Sequence, residues 1–197
     1  MLKSEIMEKA LENNNGYLFT SEVTKAGISK EYLSIFVEKN NLERVAQGVY
    51  ISSDVWEDEM FILSLKYKNI VFSHATALML HGLTEHEVLN YSVSVPRGYN
   101  ATALRKIGCT VFTRSTEFHN LGRMSIKNNF GNVVSVYDME RTVCDIIKQK
   151  EKMDIQVFRN ALKEYVKKKD KNLHRLMQYA EQLKIEKKVK EYIEVLL

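Results

Sequence analysis

Apolar residues at Leu2, Ile6, Met7, Ala10 and Leu11 recur at the spacing of one helix face. Asn13-Asn14-Asn15-Gly16 supplies a stop, since Asn and Gly tolerate the left-handed conformation that ends helices. Tyr17-Leu18-Phe19 is a short extended run. Thr20 then caps a short helix over 21–26, which Gly27 breaks, and Ser29 caps a third helix over 30–40 with Leu33, Phe36 and Val37 facing inward. Residues 42–46 and 49–51 are two β-prone runs around a two-residue Gln47-Gly48 turn. Helix, helix, tight turn, helix, hairpin is the order of a winged helix-turn-helix, and the joint at Ala26-Gly27-Ile28 has the short, Gly-containing turn that motif needs.

Beyond it, Asp54 is expected to cap a helix over 55–68 rich in bulky apolar residues (Trp56, Met60, Phe61, Leu63, Leu65), and Ser73 a helix over 74–81 ended by Gly82. Between 88 and 136 the period changes to two. Tyr91, Val93 and Val95 alternate with Ser92 and Ser94, residues 110–113 and 124–126 alternate likewise, and 133–136 closes the stretch, giving four or five strands of a mostly antiparallel sheet. Helices fill the rest, over 138–149, 154–168, 172–184 and 186–196, three of them opened by Asp138, Asp154 and Asn172. The fold class is therefore α+β: a winged helix-turn-helix over 1–53, then a domain over 54–197 in which a mostly antiparallel sheet packs with helices.

Composition narrows the classes. The chain has 197 residues, 45% hydrophobic and 27% charged, so it can bury a real core without metal or disulfides. One proline and eight glycines leave no room for collagen-like or linker architectures. The two cysteines, Cys109 and Cys144, cannot build a disulfide framework. Glu5, Glu8 and Glu12 interrupt the N-terminus, which does not read as a secretory signal, and no run approaches eighteen apolar residues. A cytoplasmic protein without a membrane partner is expected. Lys and Arg number 29 against 25 Asp and Glu, a mildly basic balance compatible with nucleic acid without demanding it.

The helix-turn-helix carries the clearest chemistry, because its last helix enters the major groove and its outward face meets base edges. That face offers Lys30, Glu31, Tyr32, Ser34 and Ile35, with Lys39 toward its end. Arg44 and Gln47 lie on or beside the wing, and Lys3, Lys9 and Lys25 can add phosphate contacts. Residues 1–53 are not net basic, with six Lys and Arg against seven Asp and Glu, and winged helices also dock proteins. Residues 97–127 hold Arg97, Arg105, Lys106, Arg114, Arg123 and Lys127 against the single acid Glu117. Strands can present such a set as a flat basic surface, so Arg97, Arg105, Arg114 and Lys127 are expected to extend the DNA contact. The lysine runs at 167–171 and 184–190 read as solvated helix ends.

No metal or cofactor is expected. His74, His81 and His86 are spaced seven and five apart, which is not a zinc spacing, His119 and His174 stand alone, and neither a glycine-rich phosphate loop nor a Gly-x-Ser-x-Gly turn occurs. Cys144 lies on an apolar helix face and reads as buried rather than nucleophilic. One rival remains. Asp138, Glu140, Asp145 and Lys148 follow a strand and could hold Mg²⁺ in a nuclease-like site targeted by the winged helix. The preferred reading gives Asp138 to the cap and Glu140, Arg141 and Asp145 to i, i+4 pairs along the helix.

Four stretches in order resemble the AbiEi family, the antitoxins of type IV abortive-infection toxin–antitoxin systems. They are Arg44-Val45-Ala46-Gln47-Gly48-Val49-Tyr50 at the end of the winged helix, Phe72-Ser73-His74-Ala75-Thr76-Ala77-Leu78-Met79-Leu80-His81-Gly82-Leu83-Thr84, Tyr91-Ser92-Val93-Ser94-Val95-Pro96-Arg97-Gly98-Tyr99, and Val136-Tyr137-Asp138-Met139-Glu140-Arg141-Thr142-Val143-Cys144-Asp145. The resemblance runs from about residue 5 to 150, and the helical tail matches only in character. It implies a non-enzymatic, bifunctional protein in phage resistance. One task is repression of its own operon by binding inverted repeats of double-stranded DNA. The other is neutralisation of a nucleotidyltransferase-type toxin without a stable complex.

Overall fold

A computed structural model describes residues 2–196. It is α+β, as the pattern of apolar positions implies, and divides into two compact units: 2–68 with 127–134, and 69–126 with 135–196.

In the first unit, α1 (Lys3–Asn13) ends where Asn15 and Gly16 both take positive φ. Strand β1 (Tyr17–Phe19) leads into α2 (Thr20–Lys25), and α3 (Lys30–Lys39) follows, with the Ser29 side chain accepting a bond from the Tyr32 amide. Thr20 is the first helical residue of α2 rather than its cap, and the preceding Phe19 offers no side-chain cap. Strands β2 (Glu43–Ala46) and β3 (Val49–Ile51) form an antiparallel hairpin across Gln47-Gly48, and β1 adds on the other side of β3 in the order β1-β3-β2.

The helix expected over 55–68 starts later, as α4 (Glu59–Lys66), because Asp58 and not Asp54 accepts the bond from the N3 amide, here that of Phe61. Trp56 therefore falls outside the helix and is 87% exposed. Ile62, Phe61 and Leu65 of α4 cover Tyr17, Val49 and Ile51 of the small sheet. That packing carries the unit to residue 68, beyond the boundary expected near 53. Residues 127–134 join it through Asp58, which is 1% exposed and accepts from the side-chain amides of Asn128 (2.6 Å) and Asn132 (2.8 Å).

The second unit is built on a five-stranded sheet that includes β4 (Val71–Phe72), β5 (Ser92–Pro96), β6 (Thr110–Arg114), β7 (Arg123–Lys127) and β8 (Val133–Tyr137), in the order β6-β5-β4-β8-β7. It is mixed rather than mostly antiparallel: β4 runs antiparallel to β5 but parallel to β8, and β5 and β6 pair in parallel over five residues. A parallel pair needs a crossover, and residues 97–109, with the unexpected α6 (Thr102–Lys106), provide it. Ser92 and Ser94 of β5 are buried like the valines between them, because both faces of the strand are covered; Ser94 bonds the Ser73 hydroxyl. A second unexpected short helix, α7 (Thr116–Asn120), precedes β7.

Helix α5 (His74–Leu80) packs beside α8 (Met139–Lys148), which is enclosed from Glu140 to Ile147. Helices α9 (Ile155–Lys167), α10 (Leu173–Gln182) and α11 (Glu186–Glu194) complete the cover, with Asp154 and Asn172 capping as expected. Their core joins Val143, Ile146 and Ile147 to Phe158, Leu162, Tyr165, Leu176 and Val189.

Candidate nucleic-acid interface

The helix-turn-helix is positioned by one small core. Met7 of α1, Leu18 of β1, Val23 of α2, Ile28 in the turn, Leu33 and Phe36 of α3 and Leu42 form a continuous buried cluster. Gly27 makes the turn at φ +77° with open space where a Cβ would sit, so its role is conformational. With Leu33 and Phe36 pinned inward, helical spacing sends Lys30, Glu31, Ser34, Ile35 and Glu38 outward, and all five are exposed. A ten-residue helix is about 15 Å long, enough to lie along a major groove.

The expected contact residues divide. Lys30, Ser34 and Lys39 lie on the free surface of α3, Lys25 in the last turn of α2, and Arg44 and Gln47 on the wing hairpin, all exposed. The Ser34 hydroxyl donates to the Lys30 carbonyl (3.1 Å), leaving its lone pairs outward, and Arg44 Nε reaches the Ala46 carbonyl at 3.4 Å. Tyr32 is half-buried against the core, and Lys3 Nζ lies 5.4 Å from its ring centroid. Tyr32 is thus turned partly toward the core, whereas Lys3 is exposed on α1. Glu31 sits at the start of α3, where its own amide and the Ser29 hydroxyl hold its carboxyl below the usual range. That carboxylate occupies the amide-rich end that a phosphate would otherwise seek. The unit has nine Lys and Arg against eleven Asp and Glu, so it supplies no net attraction for a polyanion.

The basic strip expected over 97–127 is not one surface. β6 and β7 are opposite edges of the sheet, four strand spacings or about 19 Å apart. Arg97, whose amide bonds the Arg114 carbonyl, and Arg105 and Lys106 on α6 belong to the β6 side, Arg123 to the β7 side, and Lys127 to the first unit. Arg114 is turned inward, 19% exposed, with Nη2 on Asp145 Oδ1 at 3.3 Å and its guanidinium 5.7 Å from the Phe112 centroid. Sequence shows an arginine ending a strand; it does not show that a buried carboxylate waits on α8.

Asp145 anchors the polar interior of the second unit. It also takes Arg141 Nε at 3.1 Å, and Arg141 Nη1 donates to the carbonyls of Phe118 and Leu121. His74, at φ +49° and buried, stacks on Phe112 with ring centroids 3.5 Å apart. Its Nε2 lies 3.4 Å from Arg114 Nη2 and its Nδ1 3.0 Å from the Ser73 hydroxyl. Arginine only donates, so Nε2 accepts and Nδ1 carries the proton. Burial drives the His74 pKa down to about 4, so the ring is neutral at physiological pH.

The carboxylates of the nuclease-like reading are each committed within the protein. Asp138 caps α8 through the Arg141 amide and accepts from the Tyr179 hydroxyl at 3.0 Å, and burial raises its pKa. Glu140 accepts from the Tyr165 hydroxyl and the Asn172 amide, so its partners lie on α9 and before α10 and not one turn along α8. The expected i, i+4 pairing is present for Arg141 with Asp145. Cys144 is fully buried and its thiol is pushed up to about 12 by desolvation, as a structural cysteine's would be. Among the described residues, no helix is long and apolar enough to cross a membrane.

No family model matches the chain, and no curated protein does. Among solved structures, the chain is similar to the RV2827C protein from Mycobacterium tuberculosis at a TM-score of 0.60 and 10% identity, a match covering 98% of this chain and 77% of that one. At that identity the likeness establishes a shared α+β fold.

Proposed function

We propose that this chain is a cytoplasmic DNA-binding autorepressor and the antitoxin of a type IV toxin–antitoxin system. One observation carries the DNA-binding part: a helix-turn-helix whose last helix is fixed by Leu33 and Phe36 while Lys30, Ser34, Ile35 and Lys39 stay exposed, flanked by a hairpin wing that bears Arg44 on β2 and Gln47 in its two-residue turn. The partner is double-stranded DNA, with inverted repeats in the chain's own promoter as the site. The antitoxin part rests on the AbiEi-like stretches, and its functional partner is a nucleotidyltransferase-type toxin. The internal commitments of Asp138, Glu140 and Asp145 favour this reading over a nuclease.

The test is a gel shift of the full chain on its promoter fragment against random duplex of equal length. Preference for the promoter supports the reading, and equal affinity for both overturns it. Co-expression with the product of the adjacent gene tests the second part. Rescue of growth is expected, and continued toxicity with ample folded antitoxin rejects it.

A further inference from the structure

The outward face of α3 carries one residue that neither stability nor phosphate binding explains. Ile35 is 63% exposed near the middle of the helix, between Lys30, Glu31, Ser34, Glu38 and Lys39. An exposed helix position gains nothing from isoleucine, whose β-branch lowers helix propensity relative to alanine or lysine. The same branch fixes χ1, so the side chain projects as a stiff apolar knob that loses little freedom on contact. In the major groove, the apolar group a side chain of this kind meets is the 5-methyl of thymine. Phosphate contacts fix position and register without reading sequence, so discrimination by this helix falls to side chains that reach base edges.

We propose that Ile35 is the specificity-determining residue of α3, that it reads a thymine 5-methyl group, and that it accepts 5-methylcytosine through the same contact. The inference rests on the DNA-binding reading above. Lys30 and Lys39 then flank the contact on the same helix, and Ser34, its hydroxyl hydrogen engaged with the Lys30 carbonyl, offers only lone pairs to a base amino group.

The experiment uses the full chain. A binding site is first selected from a random duplex library. Each thymine in it is then replaced by deoxyuridine, which removes only the methyl group. At one thymine per half-site the replacement should weaken wild-type binding about fourfold, the worth of one buried methyl. The same replacement should have no effect on Ile35→Ala and a reduced effect on Ile35→Val. Returning a methyl at that position as 5-methylcytosine paired with guanine should restore part of the loss relative to unmodified cytosine, in the wild type alone. Ile35 is exposed, so both variants should fold, and circular dichroism verifies it. A selected site at which deoxyuridine weakens wild type and Ile35→Ala equally, or weakens neither, overturns this inference and leaves DNA binding standing. Failure to select any site overturns both.

Discussion

Arg141 and Asp145 meet one turn apart on α8, Nε to Oδ2 at 3.1 Å, with both side chains sealed from solvent. Arg141 also holds the carbonyls of Phe118 and Leu121, so one guanidinium ties the central helix to α7 and the residue that ends it. Truncating one member of such a pair leaves an uncompensated buried charge and typically costs about 3–5 kcal/mol. Arg141→Met is expected to lose stability in that range in urea denaturation. Arg141→Met combined with Asp145→Leu should lose less than the two single losses added, since the combination leaves no orphan charge between them.

Gly122 is the close approach behind this arrangement. A Cβ there would stand 2.6 Å from Arg141 Cβ, and its φ is +73°. Gly27 has a similar φ, +77°, with nothing within 4 Å. Gly27→Ala should cost about 1 kcal/mol for the left-handed backbone alone, whereas Gly122→Ala should cost about 2–4 kcal/mol because Arg141 must shift as well. Thermal melts of the two variants test the difference, and equal losses would show that Arg141 yields freely.

Much of this fold is legible in the sequence. Ser29, Asp138, Asp154 and Asn172 announce their helices, and the Gln47-Gly48 hairpin lies where its turn residues place it. What local pattern could not supply is non-local. The parallel pairing of β5 with β6 depends on where α6 carries the chain, and alternation of Ser92 and Ser94 with valines looks the same whether the serines meet water or the Ser73 hydroxyl. Arg114 was legible as a cation but not as the partner of a buried carboxylate on another element. Helix α3 was legible because its inward and outward positions are set by its own periodicity; the half-burial of Tyr32 was not, because it depends on the core residues of other elements that pack against it.

Asp58 makes a separate prediction within the first unit. Its buried carboxylate caps α4 and holds Asn128 and Asn132. Asp58→Ala should lose about 2–4 kcal/mol, the cap and two unsatisfied amides together. Amide hydrogen exchange should show residues 127–134 losing protection more than α3 does. Uniform loss would mean that these residues are held by something other than Asp58.

His74 sets an acid limit. Its folded pKa is about 4 against an ordinary 6.5, the shift coming from burial, opposed by Asp145 and reinforced by Arg114 and Arg141. Between those values the unfolded chain takes up a proton that the folded chain refuses. Stability is therefore complete above about pH 6.5 and falls as pH drops toward 4, by about 3 kcal/mol at most. Asp138, whose burial raises its carboxyl, works in the opposite sense over the acid range. The quantity to read is accordingly the difference between wild type and His74→Gln in urea midpoints from pH 7 to 4.5. The variant should start less stable and have the flatter profile, and parallel profiles would refute the assignment.

The last prediction separates phosphate contacts from structural cations by their salt response. Each phosphate neutralised by a protein cation contributes about 0.9 to the log–log slope of affinity against salt. Lys39 and Arg44 are exposed on α3 and the wing, so Lys39→Ala and Arg44→Ala should each flatten the promoter-binding slope by about one unit and weaken all sequences alike. Arg114 is spoken for by Asp145, so Arg114→Gln should leave the slope unchanged while lowering stability by about 1–2 kcal/mol. Arg97 and Arg105 are exposed on the β6 side, and their joint neutralisation decides whether that edge meets DNA: a slope flatter by about two units places it in the interface. If Arg114→Gln alone flattens the slope in a variant of undiminished stability, its pairing with Asp145 gives way on binding, and the inward assignment of that guanidinium fails for the DNA-bound protein.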